Sequence, residues 1–197
     1  ITLTIRPKTV SRQDAEAICD KFSNTMLFNT EEELLNNFLV IIQDADILSG
    51  WNSEGYDIPY TVNRVARILG KQRMRDFCLW NQYPRKREYE KFGKEQETFD
   101  LLGRVHLDYM ELYRRYTYHE IHSYRLDAVG EFEIGENKVP YEGTLDQLYN
   151  NDYEKFIAYN RQDTMMLKKM DDKLQFIDLA NVLAHANTVL LQTTMGA

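Results

Sequence analysis

Short runs of alternating or continuous apolar residues predict strands at three places along the chain. Ile1–Ile5 alternates apolar residues with threonine, and Pro7 ends this run because proline cannot donate to a strand ladder. Asp46–Ser49 and Val105–Tyr109 are short and largely apolar, which is typical of buried strands. A loop with two glycines, Gly50–Asp57, follows the second run.

Apolar residues that recur every three or four positions predict helices between these strands. Ser11 is expected to cap a helix that extends to Phe22, and Thr30 forms a capping box with Glu33 at the start of another. Strands that alternate with helices predict the α/β fold class. The other predicted elements are a helix over Ile58–Leu69, a helix capped by Ser123, a loop or small hairpin over Glu131–Gly143, and a long helix from Asp152 towards Leu191 with one break.

One segment, Pro84–Leu102, predicts a β-hairpin with its turn near Phe92 and Gly93. By itself, this basic hairpin has a simple interpretation as a solvated charged ribbon. Its basic residues are Arg85, Lys86, Arg87, Lys91 and Lys94.

Composition narrows the class of protein. The 197 residues carry a formal net charge of −7, whereas nonspecific duplex-DNA binders usually have a strong basic excess. A negative charge is compatible with clustered carboxylates that hold divalent metals. Neither a membrane segment nor a signal peptide is expected. Cys19 and Cys78 lack framework spacing, which favours reduced, buried thiols in a cytoplasmic protein.

Two carboxylates stand out by their context. Asp57 follows a buried strand and a loop at the start of a helix, and Asp163 lies four residues after Tyr159 on another helix, so that the last two share one face. Several carboxylates from different elements are needed to hold two metal ions for phosphodiester hydrolysis, in which a phenol can orient the water. Each residue also has a simpler interpretation: a helix cap for Asp57, and a solvated helix face for Tyr159 and Asp163.

Other candidates have simpler explanations. His119 and His122 have the spacing of a zinc pair, but no second pair accompanies them, which favours ordinary surface or core histidines. Trp51 and Trp80 are expected in the core. Asp14–Glu16 is an Asp-x-Glu sequence, but its flanks predict a helix.

Longer segments around these residues resemble a known family. A resemblance to the second exonuclease motif of family B DNA polymerases lies in residues 50–60, GWNSEGYDIPY, in the version found in large tailed phages. Residues 159–163, YNRQD, resemble the third motif. Residues 107–113 and 123–127 are similar to intervening segments in the family's order, and residues 176–180 resemble the helix that leads towards the polymerase core.

The resemblance implies roles for individual residues. Asp57 and Asp163 match metal ligands, Tyr159 matches the tyrosine that positions the attacking water, and Asn52 matches a cleft residue near the substrate strand. Lys138 corresponds to a lysine near the scissile phosphate, with a surface lysine as the alternative. The hairpin residues Arg85, Lys86 and Arg87 correspond to a ribbon that helps separate primer from template, and Asp108 corresponds to a structural residue.

The same resemblance implies a ribonuclease H-like 3′→5′ exonuclease fold, a mixed sheet with helices on both faces. Residues 1–175 are expected to form a fragment of the exonuclease domain, with the hairpin insertion at 79–103, and residues 176–197 a helix leading towards the polymerase core. The family's first motif, an Asp-x-Glu strand, is expected upstream of Ile1. The chain is therefore expected to be an N-terminally truncated domain that is inactive alone.

The implied function is proofreading: two-metal hydrolysis, with Mg²⁺ or Mn²⁺, at primer 3′ ends during DNA replication. The implied partners are single-stranded and primer–template DNA, the polymerase domain of the same parent chain and, through other parts of it, a sliding clamp. The expected location is the cytoplasm, of the host if the gene is viral. The alternative is a non-catalytic module that holds single-stranded DNA.

Overall fold

The computed structural model describes residues 1–91, 93–119 and 121–195. The strands are β1 (Thr2–Ile5), β2 (Thr25–Phe28), β3 (Ile47–Gly50), β4 (Arg85–Lys91), β5 (Lys94–Asp100) and β6 (Val105–Asp108). The α-helices are α1 (Arg12–Cys19), α2 (Glu31–Ile41), α3 (Asp57–Ile68), α4 (Tyr109–Tyr116), α5 (Leu126–Ile134), α6 (Leu145–Asn151), α7 (Tyr153–Leu174) and α8 (Phe176–Asn187). Short 3₁₀ helices cover Lys71–Phe77 and Leu191–Met195.

The strands form three sheets of two strands each, and the mixed α/β class expected from the sequence is confirmed. β1 pairs with β2 and β3 with β6, both in parallel, whereas β4 and β5 form an antiparallel hairpin. Parallel neighbours need long connections, which helices and the hairpin provide here. The described residues therefore do not form the single mixed sheet that the resemblance implied. In the β3–β6 pair, Gly50 lies opposite Asp108, so both strands end at the same edge.

The structure differs from the predicted elements where the local signal is weak or ambiguous. β2 has four residues with partly exposed side chains and no alternating pattern, and it was missed. The strand predicted to reach Tyr109 ends at Asp108, whose carboxylate caps α4 by accepting a hydrogen bond from Met110 N. α5 extends through Ile134 into the predicted loop and ends at Gly135, which has a φ of 69°.

Helix starts show which capping predictions hold. Ser11 Oγ accepts from Asp14 N and Thr30 Oγ1 accepts from Glu33 N, so both predicted caps are confirmed. The return bond at the start of α2 comes from Asn29 N, at 2.9 Å from the Glu33 carboxylate, so that capping box is incomplete. The predicted cap at Ser123 is wrong, because the N-cap residue of α5 is Arg125. A complete capping box, missed in the sequence, joins Thr144 and Gln147 at the start of α6.

The long C-terminal helix is broken once, as predicted. Gln175 adopts a φ of 54° and separates α7 from α8. Phe176 and Ala180 of α8 are buried in the same apolar cluster as Leu107 and Tyr113. The domain boundary expected at residue 176 therefore coincides with a bend in the helix and not with a gap in packing.

Aromatic and cysteine predictions have mixed outcomes. Trp51 packs against Tyr109 and Tyr113 in the core, as expected. Trp80 was expected in the core but is 76% exposed, and its ring lies against Gly103, where a Cβ atom would approach ring carbons to 2.7 Å. Cys19 and Cys78 are free and buried, as predicted. Among the described helices, none is long and apolar enough to cross a membrane.

Candidate active site

A large cleft lies at the carboxyl ends of β3 and β6. Its volume is about 1220 Å³, which exceeds the roughly 300–1,000 Å³ of common small-molecule pockets and suits an extended ligand. Open α/β sheets commonly bind ligands at this edge. Four of the residues singled out in the sequence line the cleft together: Asn52, Asp57, Lys138 and Asp163.

The loop between β3 and α3 is held by the side chains of β6. Asp108, which is 2% exposed, accepts hydrogen bonds from Asn52 N at 3.0 Å and from Glu54 N at 3.1 Å. Its carboxylate also accepts from Met110 N at 3.0 Å. Both carboxylate oxygens of Asp108 therefore accept hydrogen bonds from backbone amides, which agrees with the structural role expected from the resemblance.

His106 holds the same loop through Ser53. Residues 106 and 108 are two apart on a strand and point to the same side. His106 Nε2 lies 2.8 Å from Ser53 Oγ, and Ser53 O accepts from Ile58 N at 2.9 Å. Burial lowers the pKa of His106 to about 4. The neutral imidazole of His106 thus holds Ser53, whose carbonyl oxygen accepts a hydrogen bond from the first turn of α3.

Asp57 occupies the first position of α3, where the helix dipole favours a negative charge. The residue as a whole is exposed to solvent, but the crowded cleft wall partly desolvates its carboxyl group and raises its pKa above the usual range. Its carboxylate has no ion-pair partner among the described residues. A Cβ atom at Gly50 would lie 2.8 Å from the Cβ of Ser53, so the narrow turn before Asp57 requires glycine.

Asp163 and Lys138, which line the cleft, form a hydrogen-bonded group with Tyr159, which does not belong to the lining. Lys138 Nζ donates to Asp163 Oδ2 at 2.8 Å and to Tyr159 Oη at 3.1 Å. Burial alone would lower the pKa of Lys138, but these two contacts outweigh it and raise the pKa. Burial raises the pKa of the Tyr159 phenol, which therefore stays protonated at neutral pH. Tyr141 packs edge-on against the Tyr159 ring, with ring centroids 5.1 Å apart.

The second oxygen of Asp163 provides a test for a metal ion. Asp163 Oδ1 is buried and has no hydrogen-bond partner within the described part of the chain. A buried unsatisfied carboxylate oxygen is costly, and a hard divalent cation would satisfy it. Asp57 and Asp163 therefore supply only part of such a site. Among residues 1–91, 93–119 and 121–195, no group of three or more acidic, histidine or cysteine side chains could hold a metal ion.

The predicted hairpin residues lie outside the cleft. Arg87 pairs with Asp100 at 2.9 Å and with Glu54, and Lys86 pairs with Glu97 at 2.5 Å. Arg85 lies 3.7 Å from Asp100. The sequence already contained this signal, since residues 85–100 hold five basic and five acidic side chains and the ribbon is neutral overall. Phe92, in the predicted turn, lies outside the described residues.

Tyr56, His106 and Arg125 are among the cleft residues to which the sequence analysis assigned no role. Tyr56 directly precedes Asp57, so its position beside the candidate ligand could have been noticed. Arg125 lies within residues 123–127, which the resemblance covers, although no role was assigned to it there. His106 comes from a distant element, and no local pattern marks it. The position of His106 in the cleft therefore became visible only in the structure.

Comparisons with known proteins place this cleft in a family. Residues 3–129 match the exonuclease domain of DNA polymerase family B, which is more than half of the chain. The chain belongs to this family of exonuclease domains. The match includes Asn52 and Asp57, whereas Lys138, Tyr159 and Asp163 lie beyond it.

Two phage relatives cover a larger share of the chain than the family model does. The chain is 32% identical to a DNA-directed DNA polymerase of Escherichia phage RB69, over 87% of its own length and 19% of that protein. It is 31% identical to a DNA-directed DNA polymerase of Enterobacteria phage T4, over 78% of its length and 17% of the relative. The DNA polymerase delta catalytic subunit of Arabidopsis thaliana is 27% identical over 78% of the chain and 15% of that subunit. The chain thus spans about a fifth of the phage relatives.

Proposed function

We propose that the cleft removes nucleotides from primer 3′ ends, as the proofreading site of a family B replicative DNA polymerase. The observation that carries this proposal is Asp163, which lines the cleft together with Asp57 and has one buried oxygen without a partner among the described residues. Such an oxygen suits a divalent cation. The exonuclease domain family supplies the reaction class, and the substrate class is an unpaired DNA strand.

Each residue of the cleft receives a specific task. Asp57 and Asp163 would hold Mg²⁺ or Mn²⁺, which when bound supplies charge stabilisation for hydrolysis of the phosphodiester. Tyr159 orients the attacking water through its hydroxyl group, which shares the Lys138 ammonium group with Asp163. Lys138 already holds both Asp163 and Tyr159, so its ammonium group also lies where it can offset the charge of the phosphate. Asn52 borders the path of the strand.

The remaining proposals concern the rest of the polymerase. We propose a ribonuclease H-like fold for the complete domain, with residues 1–175 in the exonuclease domain, the hairpin at 79–103, and residues 176–197 leading towards the polymerase core. Arg85, Lys86 and Arg87 contact primer–template DNA when the primer end transfers. The partners are the polymerase domain of the same parent chain and a sliding clamp, and the protein acts in the cytoplasm.

The first experiment compares two chains on a labelled single strand with Mn²⁺: the 197 residues alone, and a longer polymerase chain from the same gene. Two metal ions about 4 Å apart need more carboxylates than Asp57 and Asp163 provide. We therefore expect cleavage by the longer chain and essentially none by the 197 residues. Cleavage by neither chain would favour a module that only holds single-stranded DNA.

The second experiment tests the cleft directly in the longer chain. Asp163→Asn removes one charged oxygen ligand and should lower the cleavage rate at least about 10³-fold, since metal ions supply several kcal/mol of charge stabilisation. Glu97→Gln is the matched control, because it is the same chemical change on an exposed hairpin carboxylate. The control should change the rate by less than about two-fold. Equal effects of both variants would remove Asp163 from the site.

A further inference from the structure

An aromatic surface patch precedes the hairpin, and we call its residues Arg75, Trp80, Asn81 and Tyr83 the root patch. Trp80 is 76% exposed and Tyr83 is 42% exposed. The Arg75 guanidinium group lies over the Tyr83 ring, 4.5 Å from its centroid, and Arg75 Nη1 donates to Asn81 Oδ1 at 3.3 Å. None of these four residues lines the cleft. The root patch is therefore a separate surface, which the proposed cleavage site does not explain.

The backbone holds Trp80 in its exposed position. Trp80 and Asn81 have φ angles of 54° and 57°, in the left-handed region that bulky side chains rarely adopt. A Cβ atom at Gly103 would approach ring carbons of Trp80 to 2.7 Å, so glycine is needed where the indole lies against the chain. Strained backbone is concentrated at functional positions, because the surrounding structure must impose it. A tryptophan held in solvent at a conformational cost therefore indicates a ring that is kept for a ligand.

The segment around the root patch is basic, although the whole chain is acidic. Residues 64–84 contain five basic side chains and one acidic side chain, whereas the chain has a formal net charge of −7. The acidic residue, Asp76, pairs with Arg73 at 2.7 Å. Arg75 has no ion-pair partner in the described part of the chain, and its Nε atom is buried without a hydrogen-bond partner. Unpaired positive charge beside exposed aromatic rings is the combination that binds a single DNA strand, through its phosphates and its bases.

We propose that the root patch binds the unpaired template strand while the primer end occupies the cleft, with a template base stacked on Trp80 and a template phosphate at Arg75. The proposal rests on the proposed function, because primer nucleotides that enter the cleft leave the same number of template nucleotides unpaired. The root patch directly precedes β4, and Arg87 of β4 pairs with Glu54 in the loop that leads to Asp57. The two separated strands would therefore lie on neighbouring parts of one domain.

The test is a binding measurement with the longer polymerase chain in a chelating buffer, where no cleavage takes place. The probes are labelled primer–templates with three mismatched nucleotides at the primer end, and the facing template nucleotides are either complete or without their bases. Trp80→Ala should weaken binding of the complete probe at least about five-fold, which corresponds to the lower end of the about 1–3 kcal/mol for one base–aromatic stack. The same variant should bind the abasic-template probe as the unaltered chain does. Trp80→Phe should keep most of the affinity, because it keeps a ring.

Matched variants separate the root patch from other exposed side chains. Tyr118→Ala, at a fully exposed tyrosine elsewhere, should leave binding unchanged. Arg75→Gln should reduce the slope of log affinity against log salt concentration by about one, as expected for one lost phosphate contact. Arg115→Gln, at an exposed arginine of α4, should leave that slope unchanged.

Three results would overturn the proposal. The first is equal weakening of both probes by Trp80→Ala. The second is an effect of Trp80→Ala that disappears when bases are removed from the primer and not from the template. The third is unchanged binding of every DNA probe, which would favour a protein partner for the root patch. Since no cleavage is involved, failure of the exonuclease assays would leave this readout intact and distinguishable.

Discussion

The hairpin and the cleft are both rich in charged side chains, but they differ in how many of these charges have a partner within the protein. On the hairpin, Lys86 pairs with Glu97 of the facing strand. Arg87 pairs with Asp100 of that strand and with Glu54 of the loop between β3 and α3. In the cleft, Asp57 has no ion-pair partner among the described residues, and Asp163 shares one oxygen with Lys138 and leaves the other unsatisfied. The first three basic residues of the hairpin are thus paired with carboxylates of the protein, whereas the two cleft carboxylates are not fully paired.

This difference shows where a ligand is needed. Exposed ion pairs contribute little to folding, and their loss is easily tolerated. A buried oxygen without a partner costs free energy in the folded chain, so its presence indicates a task that requires it. Clusters of charge are thus poor guides to a site, and incompletely satisfied charge is a better one.

After the loss of an Asp163 oxygen ligand, the next largest effect on the cleft is expected from removal of the Tyr159 hydroxyl group. Tyr159→Phe in the longer chain should slow cleavage of a single strand about 10²-fold or more, since positioning groups contribute about 10²–10⁴-fold. Metal affinity should stay nearly unchanged, because the carboxylates remain. Single-turnover cleavage rates and Mn²⁺ binding followed by electron paramagnetic resonance would measure both.

A matched variant on the hairpin controls for the removal of a tyrosine hydroxyl group. Tyr89 Oη donates to Gln96 Oε1 at 3.0 Å, so Tyr89→Phe also deletes one hydrogen-bonded hydroxyl group. Its expected effect on cleavage is below about two-fold. An unchanged rate in Tyr159→Phe would show that Tyr159 only packs against Tyr141.

A smaller effect is expected from acid, through His106. Its pKa is about 4 in the folded chain and about 6.5 when unfolded, so the unfolded chain takes up a proton first as pH falls. The stability from the neutral imidazole is complete above about pH 6.5 and is lost as pH falls towards 4. We expect His106→Gln to reduce the acid-induced loss of unfolding free energy by about 2–3 kcal/mol between pH 7 and 4.5.

Urea unfolding of the 197-residue chain at both pH values would measure this difference. His122→Gln, at an exposed histidine, is the control and should follow the unaltered chain. The comparison between variants cancels the acid response of carboxylates such as Glu133, whose contacts with Tyr113 and Lys173 lower its pKa despite burial. Parallel pH curves for His106→Gln and the unaltered chain would contradict the prediction.

The smallest effect is expected on the hairpin itself. Replacing Arg85, Lys86 and Arg87 with alanine in the longer polymerase chain should slow cleavage from a primer–template end roughly three- to ten-fold, through lost salt-dependent phosphate contacts. Cleavage of a free single strand should stay unchanged, because these residues lie outside the cleft. Equal losses on the two substrates would show that the ribbon does not act in strand transfer.

The chemistry of the cleft was largely visible in the sequence. Asp57 after a buried strand, and Tyr159 four residues before Asp163, are local patterns, and the segments around them identified the exonuclease family. Caps at Ser11 and Thr30 were equally readable, because a cap depends on residues three positions apart. The sequence also shows that the hairpin is neutral overall, although the cluster of its first three residues suggested a basic surface.

The tertiary structure alone decided which charges are satisfied. Lys138 meets Asp163 across 25 positions and Arg87 meets Glu54 across 33, so no local pattern could reveal either pair. The same holds for His106 beneath Ser53 and for the two-stranded sheets, which depend on contacts between distant segments. Sequence determines residue types and local geometry through short-range sterics and hydrogen bonds. Whether a carboxylate is neutralised, capped or left for a ligand depends on its neighbours in space, which only the folded chain brings together.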